Sequence, residues 1–318
     1  MQSALECFHK EHENEAPLVY RIYLGFFLTL FTIMSYILNL LLLVIVTRTS
    51  ILDRLFCLHV VSLTMAGIFY SLANTIALIP TVVGYLYIKD PWNPILSTAE
   101  NLGYLALMFT TTNIAVDRST VFLLPKVYRF LRSRYIVFVC FSSIPWLCSV
   151  LVNVHMTLEG CFTRTDPYTL AFTYRCSRCV LYGPVLCSFG FIFPGISFVL
   201  YALIYSQIVI VRSRLQSCIC RCGKRKEIEL VVQFSLICTV QFASSASFYV
   251  LPALLPGYDL AYQLPMIIST LNTITNPVLM LVFRPRLRHA CTSLITKCSA
   301  SPTIVHPVAI IPLSSQKA

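Results

Sequence analysis

The segment Tyr23–Thr47, YLGFFLTLFTIMSYILNLLLLVIVT, decides how the rest of the chain is read. It carries no charge along its whole length, and as a helix rising about 1.5 Å per residue it is longer than the ~30 Å hydrocarbon core of a bilayer is thick. In lipid the backbone has no water to bond, so a single segment crosses as a helix that satisfies its own N–H and C=O groups. Six more stretches are also about twenty or more mostly apolar residues long: Leu55–Pro80, Ile95–Ser119, Tyr135–His155, Val180–Val211, Leu230–Leu255 and Ala261–Phe283. The whole chain agrees with them. Of its 318 residues 57% are hydrophobic and 12% charged, and mean hydropathy is +0.75, which leaves little material for a separate soluble domain. The expected fold is all-α, a polytopic membrane protein with a seven-transmembrane-helix bundle. Residues 1–22 then form an outer tail, 23–283 the helical domain, and 284–318 an inner amphipathic helix and tail.

Orientation follows from the loop cations. With the N-terminus outside, eighteen of the twenty-four lysines and arginines fall on the inner side, among them Arg48, Arg118, Lys126, Arg129, Arg132, Arg212, Arg225 and Arg284. Only Lys10, Arg21, Lys89, Arg164, Arg175 and Arg178 fall outside. With the acids included, the inner face carries +14 and the outer −3. Lysine and arginine resist translocation, so the N-terminus is expected outside and the C-terminus in the cytoplasm. The net charge of +11 therefore sits beside helix ends, where it meets anionic lipid or a cytosolic partner, and nucleic-acid binding is not expected. The first twenty residues, with Glu6, Glu11, Glu13 and Glu15, lack the basic-then-apolar order of a cleaved signal, so the first span is expected to act as an uncleaved anchor.

The third span differs from the others. Glu100, Asn101, Thr110, Thr111, Thr112, Asn113, Asp117 and Arg118 all lie on it, and groups of this kind do not face lipid. This helix is expected at the centre of the bundle. Pro145, Pro194, Pro252 and Pro277 interrupt the last four spans, and each removes a backbone donor and crowds the preceding turn.

Asp117-Arg118-Ser119, followed by Pro125 and Tyr128, resembles the Asp-Arg-Tyr end of the third helix and the second inner loop of rhodopsin-like G-protein-coupled receptors. Asn39, Trp146, Pro194, Pro252 and Asn276-Pro277 resemble that family's landmarks in the first, fourth, fifth, sixth and seventh helices, in the right order. The resemblance implies a receptor that relays an outer ligand to a heterotrimeric G protein. Asp117 would hold Arg118 at rest, and Pro125, Tyr128, Asn276 and Pro277 would belong to the same coupling region. Several landmarks differ. Gly67 stands at the family's sodium-binding aspartate, Met280 replaces the tyrosine after Asn276-Pro277, and Val250 replaces the tryptophan two before Pro252. Between Cys57 and Cys140 there is no cysteine, so the family's usual bridge from the third helix to the second outer loop cannot form. Compact length, drifted landmarks and short tails are similar to those of nematode serpentine chemoreceptors. That likeness implies a chemosensory receptor in the plasma membrane, or the ciliary membrane of a sensory cell. A non-signalling scaffold or trafficking partner and a peptide receptor are the alternatives, and a dimer is compatible with the sequence.

The outer cysteines Cys7, Cys161, Cys176 and Cys179 lie in an oxidising compartment and suit two bridges, with three pairings open. Cys291 and Cys298, with Cys218, Cys220 and Cys222, are candidates for palmitoylation. After Phe283, the run from Arg284 to His289 with Leu287, Leu294 and Ile295 suggests an amphipathic helix on the inner leaflet that contacts membrane lipids. Glu100 precedes Arg118 by eighteen residues, five turns or about 27 Å, which puts both on one face at opposite ends of one helix. It is the first candidate for contact with an extracellular small molecule, with Asn101, Tyr104, Phe248, Tyr249, Tyr262 and Gln263 after it. The competing reading makes Glu100 a water-exposed group in the first turns of that helix. No lysine lies between Ala261 and Phe283 to carry retinal, and no His-Glu-x-x-His is present. Neither an enzyme nor a cofactor or metal site is expected.

Overall fold

The computed structural model describes residues 4–11, 16–49, 52, 54–180, 182–214, 221–255, 258 and 260–299. The side chains of 211–231, of Leu294, Ile295 and Cys298, the cysteines Cys218 and Cys220 and the tail beyond Ser299 lie outside the described residues.

Along the chain run α1 (Ala4–Glu11), α2 (Leu18–Arg48), α3 (Arg54–Ala73), a π-helical turn (Asn74–Leu78) and α4 (Ile79–Val83). After these come α5 (Trp92–Leu123), α6 (Pro125–Ser133), α7 (Tyr135–Leu158), strands β1 (Arg164–Asp166) and β2 (Ala171–Thr173), α8 (Tyr182–Arg214), α9 (Arg221–Leu254), α10 (Leu260–Phe283) and α11 (Pro285–Ser299). Six stretches are long and apolar enough to cross a bilayer: Leu18–Arg48, Phe56–Val83, Tyr135–Leu158, Tyr182–Ile210, Ser235–Leu254 and Leu260–Phe283. Their outward faces are rows of exposed Ile, Leu, Val and Phe, such as Ile22, Phe26, Ile33 and Ile37 on α2. Surfaces of that kind are stable against lipid and not against water. The chain is an all-α, multi-pass membrane protein.

The seventh long helix, α5, is not among those six because its composition is more polar, and its burial explains how the fold accommodates this. It buries 19 of its 32 residues, whereas α7 buries 6 of 24, so α5 is interior and α7 peripheral. α5 packs on α3, α7 and α8, α2 lies between α3 and α10, and α9 between α8 and α10. Polar side chains join these helices, as expected where lipid offers no hydrophobic drive for association. The Ser35 hydroxyl bonds those of Thr273 and Ser71, at 2.8 Å each, and the Asn39 amide donates to the carbonyls of Ser35 and Thr273. Gly67 takes its place in that seam because a Cβ there would lie 3.1 Å from the Asn39 amide. Trp146 donates to Ser62 at 2.9 Å, linking α7 to α3, and Ser62 meets Thr110 of α5.

Several boundaries and loops differ from expectation. α2 begins at Leu18 rather than Tyr23, and α5 reaches from Trp92 to Leu123. The connection after α5 is itself a helix, α6, with Pro125 in its first turn, where a missing N–H costs nothing. The N-terminal segment contains α1, whose Phe8 is fully buried and whose Cys7 is bridged to Cys176. Pro145, Pro194, Pro252 and Pro277 lie inside α7, α8, α9 and α10, and Pro265 is a further one in α10. The π turn ends just before Pro80, whose absent N–H frees a carbonyl of the preceding turn.

Candidate functional site

Two features lie at opposite ends of α5. At its N-terminal end a cavity of about 240 Å3 opens between α5, α9, α10 and the β1–β2 hairpin. The hairpin pairs Arg164 with Thr173, Thr165 with Phe172 and Asp166 with Ala171. Its turn is closed by the buried Asp166 carboxylate, which accepts from the Tyr168 N–H at 2.9 Å and the Thr169 hydroxyl at 2.8 Å. Asn93 of α5 accepts from the Thr165 N–H at 2.9 Å, and Arg164 pairs with Asp90 at 3.1 Å. Two disulfides, Cys7–Cys176 and Cys161–Cys179, complete the anchorage and select one of the three pairings that the sequence leaves open. The hairpin is thereby fixed across this end of the bundle.

Glu100 lines the cavity with Tyr104, Phe248, Tyr249 and Tyr262, so five of the residues singled out from sequence converge here. The carboxylate is 6% exposed and has no hydrogen-bond or ion-pair partner among the described residues. Since α5 starts at Trp92, Glu100 lies beyond its first two turns and is buried, which overturns the reading of a water-exposed group at the helix start. Tyr104 meets the Ser245 hydroxyl at 2.6 Å and sets its ring edge-on to Phe248, 6.0 Å between centroids. At the hairpin side Arg175 donates to the Tyr262 hydroxyl at 2.7 Å, with its guanidinium 4.8 Å over that ring.

Asn101 is a correction. It does not line the cavity: its amide donates to Asn153 of α7 at 2.9 Å and its carbonyl accepts from Tyr174 at 3.0 Å. Consecutive helix residues point about 100° apart, and on α5 that rotation turns Asn101 from the cavity toward α7 and Tyr174. Gln263, beside Tyr262, is also buried outside the lining. Sequence reasoning missed the hairpin's contribution of Phe172, Tyr174 and Arg175. The signal available for them was their position beside Cys176, a candidate for disulfide bonding.

At the other end, Arg118 lies 3.9 Å from Asp117. Its guanidinium stacks 4.6 Å over Phe56 of α3, and Arg284, between α10 and α11, lies 5.1 Å from the same ring. Burial, and then the Arg118 charge, pull the Arg284 guanidinium down to about 10. Pro125 and Tyr128 belong to α6, where Tyr128 bonds and stacks with Arg132 one turn on. Asn276 and Pro277 are buried in α10, and the Asn276 side-chain oxygen has no hydrogen-bond partner among the described residues. One turn on, Met280 accepts a bond from the Gln233 amide of α9 at 3.0 Å. Leu287 is fully buried against this inner cluster and Cys291 packs half-buried beside it. Cys140 is exposed on α7.

Neither protein-family models nor curated protein sequences give a match to this chain.

Proposed function

We propose that the chain is a seven-helix receptor of the rhodopsin-like kind, with α5 as the third crossing, and that it is chemosensory, relaying an extracellular small molecule to a heterotrimeric G protein. The observation that carries this reading is the two-ended character of α5. One interior helix bears an uncompensated carboxylate, Glu100, in a cavity lined by aromatic rings and an Asp117–Arg118 pair at its far end. A buried carboxylate without a partner favours a ligand that brings a cation or a strong donor to it, and the tyrosine and phenylalanine rings around it suit an ammonium group as well. The cavity is below the size usual for drug-sized ligands, which favours a small molecule over a peptide.

Signalling on this reading is a population shift. A ligand that binds one packing of α5, α9 and α10 better than another biases the bundle toward it, by no more than that difference in affinity. The Gln233–Met280 contact between α9 and α10 and the stacking of Arg118 on Phe56 are the inner contacts that such a shift would change. The test is ligand-driven nucleotide exchange on a G protein, in reconstituted membranes, after a screen of small amines and neutral odorants. Arg118→Ala is expected to abolish exchange while leaving surface expression and ligand binding in place. Glu100→Gln is expected to weaken an ammonium ligand by tenfold or more. Exchange unchanged in the Arg118 variant would overturn the coupling role, and an unaltered dose response in the Glu100 variant would remove that carboxylate from the site.

A further inference from the structure

A second cavity, of about 410 Å3, runs along the outward face of the bundle between α2 and α4. Its walls are nearly all apolar, and one charged group, Arg21, stands at its head. Arg21 is 3% exposed. Its Nε donates to the Ala16 carbonyl at 3.4 Å, one terminal nitrogen to Thr81 at 3.2 Å and the other to Pro167 at 2.7 Å, while Tyr85 covers the guanidinium at 4.2 Å. Three of its five N–H groups are thus used, and no carboxylate pairs with it among the described residues. Carbonyl dipoles and an aromatic face offset part of the cost of a buried cation, and an oxyanion would offset the remainder.

We propose that this groove binds a long-chain fatty acid anion, with the carboxylate on Arg21 and the chain passing Gly25 toward Ile33. Each feature of the groove selects that chemistry. A carboxylate is compact enough to reach a guanidinium so deeply buried, and it accepts from two N–H groups at once. One groove takes one chain. From Arg21 to Ile33 the lining follows α2 over twelve rises, about 18 Å, which exceeds half of a ~30 Å hydrocarbon core and suits a single extended acyl chain. Gly25 sets the depth: a Cβ there would lie 2.6 Å from a Val83 methyl, so the two helices meet at the floor of the groove. Because Arg21 also ties the α2 start to the hairpin turn through Pro167, an occupant here would brace the cover of the Glu100 cavity from outside.

The experiment uses the full chain in phosphatidylcholine nanodiscs at mildly alkaline pH, labelled with palmitate carrying a diazirine near its chain end. Mass spectrometry then locates the label. The expected result is labelling between Phe26 and Ile33 or at Val82 and Val83. Palmitate should displace it at least tenfold more effectively than either its methyl ester or phosphatidic acid. Thr29→Trp, which fills the groove from its lipid-facing side without touching Arg21, should remove the label, and Arg21→Gln should erase the preference for the acid over the ester. Equal displacement by acid and ester would reduce the groove to ordinary lipid contact and overturn the proposal. Displacement by phosphatidic acid as strong as by palmitate, or labelling indifferent to Thr29→Trp, would overturn it as well. Should Arg21→Gln fail to fold, the acid–ester contrast in the unaltered chain and the Thr29 variant decide the matter.

Discussion

Asn101 illustrates how a single residue can be read correctly as interior and wrongly as to its task. Its position beside Glu100 on a polar helix makes both candidates for one pocket, yet the helical rotation between neighbours sends Asn101 to α7 and the hairpin. There it accepts from Tyr174 and donates to Asn153, whose own amide bonds the Ser149 carbonyl. Asn101→Leu would leave the Tyr174 hydroxyl and the Asn153 carbonyl unpaired in a buried site, a loss of about 1–2 kcal/mol. The expected outcome is a midpoint of thermal unfolding in detergent lowered by several degrees, with ligand affinity reduced only through the hairpin. An unchanged midpoint would show that this network contributes nothing to stability. Arg175 was not singled out as a cavity residue for a related reason: a cation in a loop has no periodicity to betray which way it points, and its bond to Tyr262 places it at the cavity.

Hydropathy exposes long elements well because lipid imposes length and composition together, and every stretch read as a span lies on a long helix. The ends were less legible. α2 starts at Leu18, ahead of the uncharged run from Tyr23, because Arg21 is buried by carbonyls and Tyr85. α6 is short and amphipathic, with no buried residue, so no apolar run announced it. How closely two helices approach is likewise a local matter. A Cβ at Gly103 would lie 2.6 Å from the Tyr70 nitrogen and 2.8 Å from the Ala66 carbonyl oxygen, both backbone atoms that cannot swing aside. Gly103→Val should therefore force α5 away from α3, at a cost of about 3 kcal/mol or more. The expected readout is a marked loss of monodisperse protein in size-exclusion chromatography. Gly183→Ala, where nothing lies within 4 Å, should leave it unchanged. Equal behaviour of the two variants would contradict the close crossing.

Across the whole molecule, the N-terminal helix, the hairpin and the bundle are held as one unit by the bridge between Cys7 and Cys176, which spans 169 residues of chain. Replacing both cysteines by serine should free α1, speed proteolysis in the segment between α1 and α2, and accelerate dissociation of any ligand held under the hairpin. Protection and dissociation rates equal to those of the unaltered chain would show that the bridge does not brace the cover. Membrane residence, the helical class, the interior place of α5 and the set of bridging cysteines were all readable from the chain, since each depends on composition or on spacing along one helix. Which cysteines pair, which face Asn101 presents, how Arg21 is sheltered and which loop residues close over Glu100 depend on atoms far apart in sequence. Those contacts exist only once the helices have packed, because a linear pattern records each segment's preference for lipid or protein but not the partner that meets it.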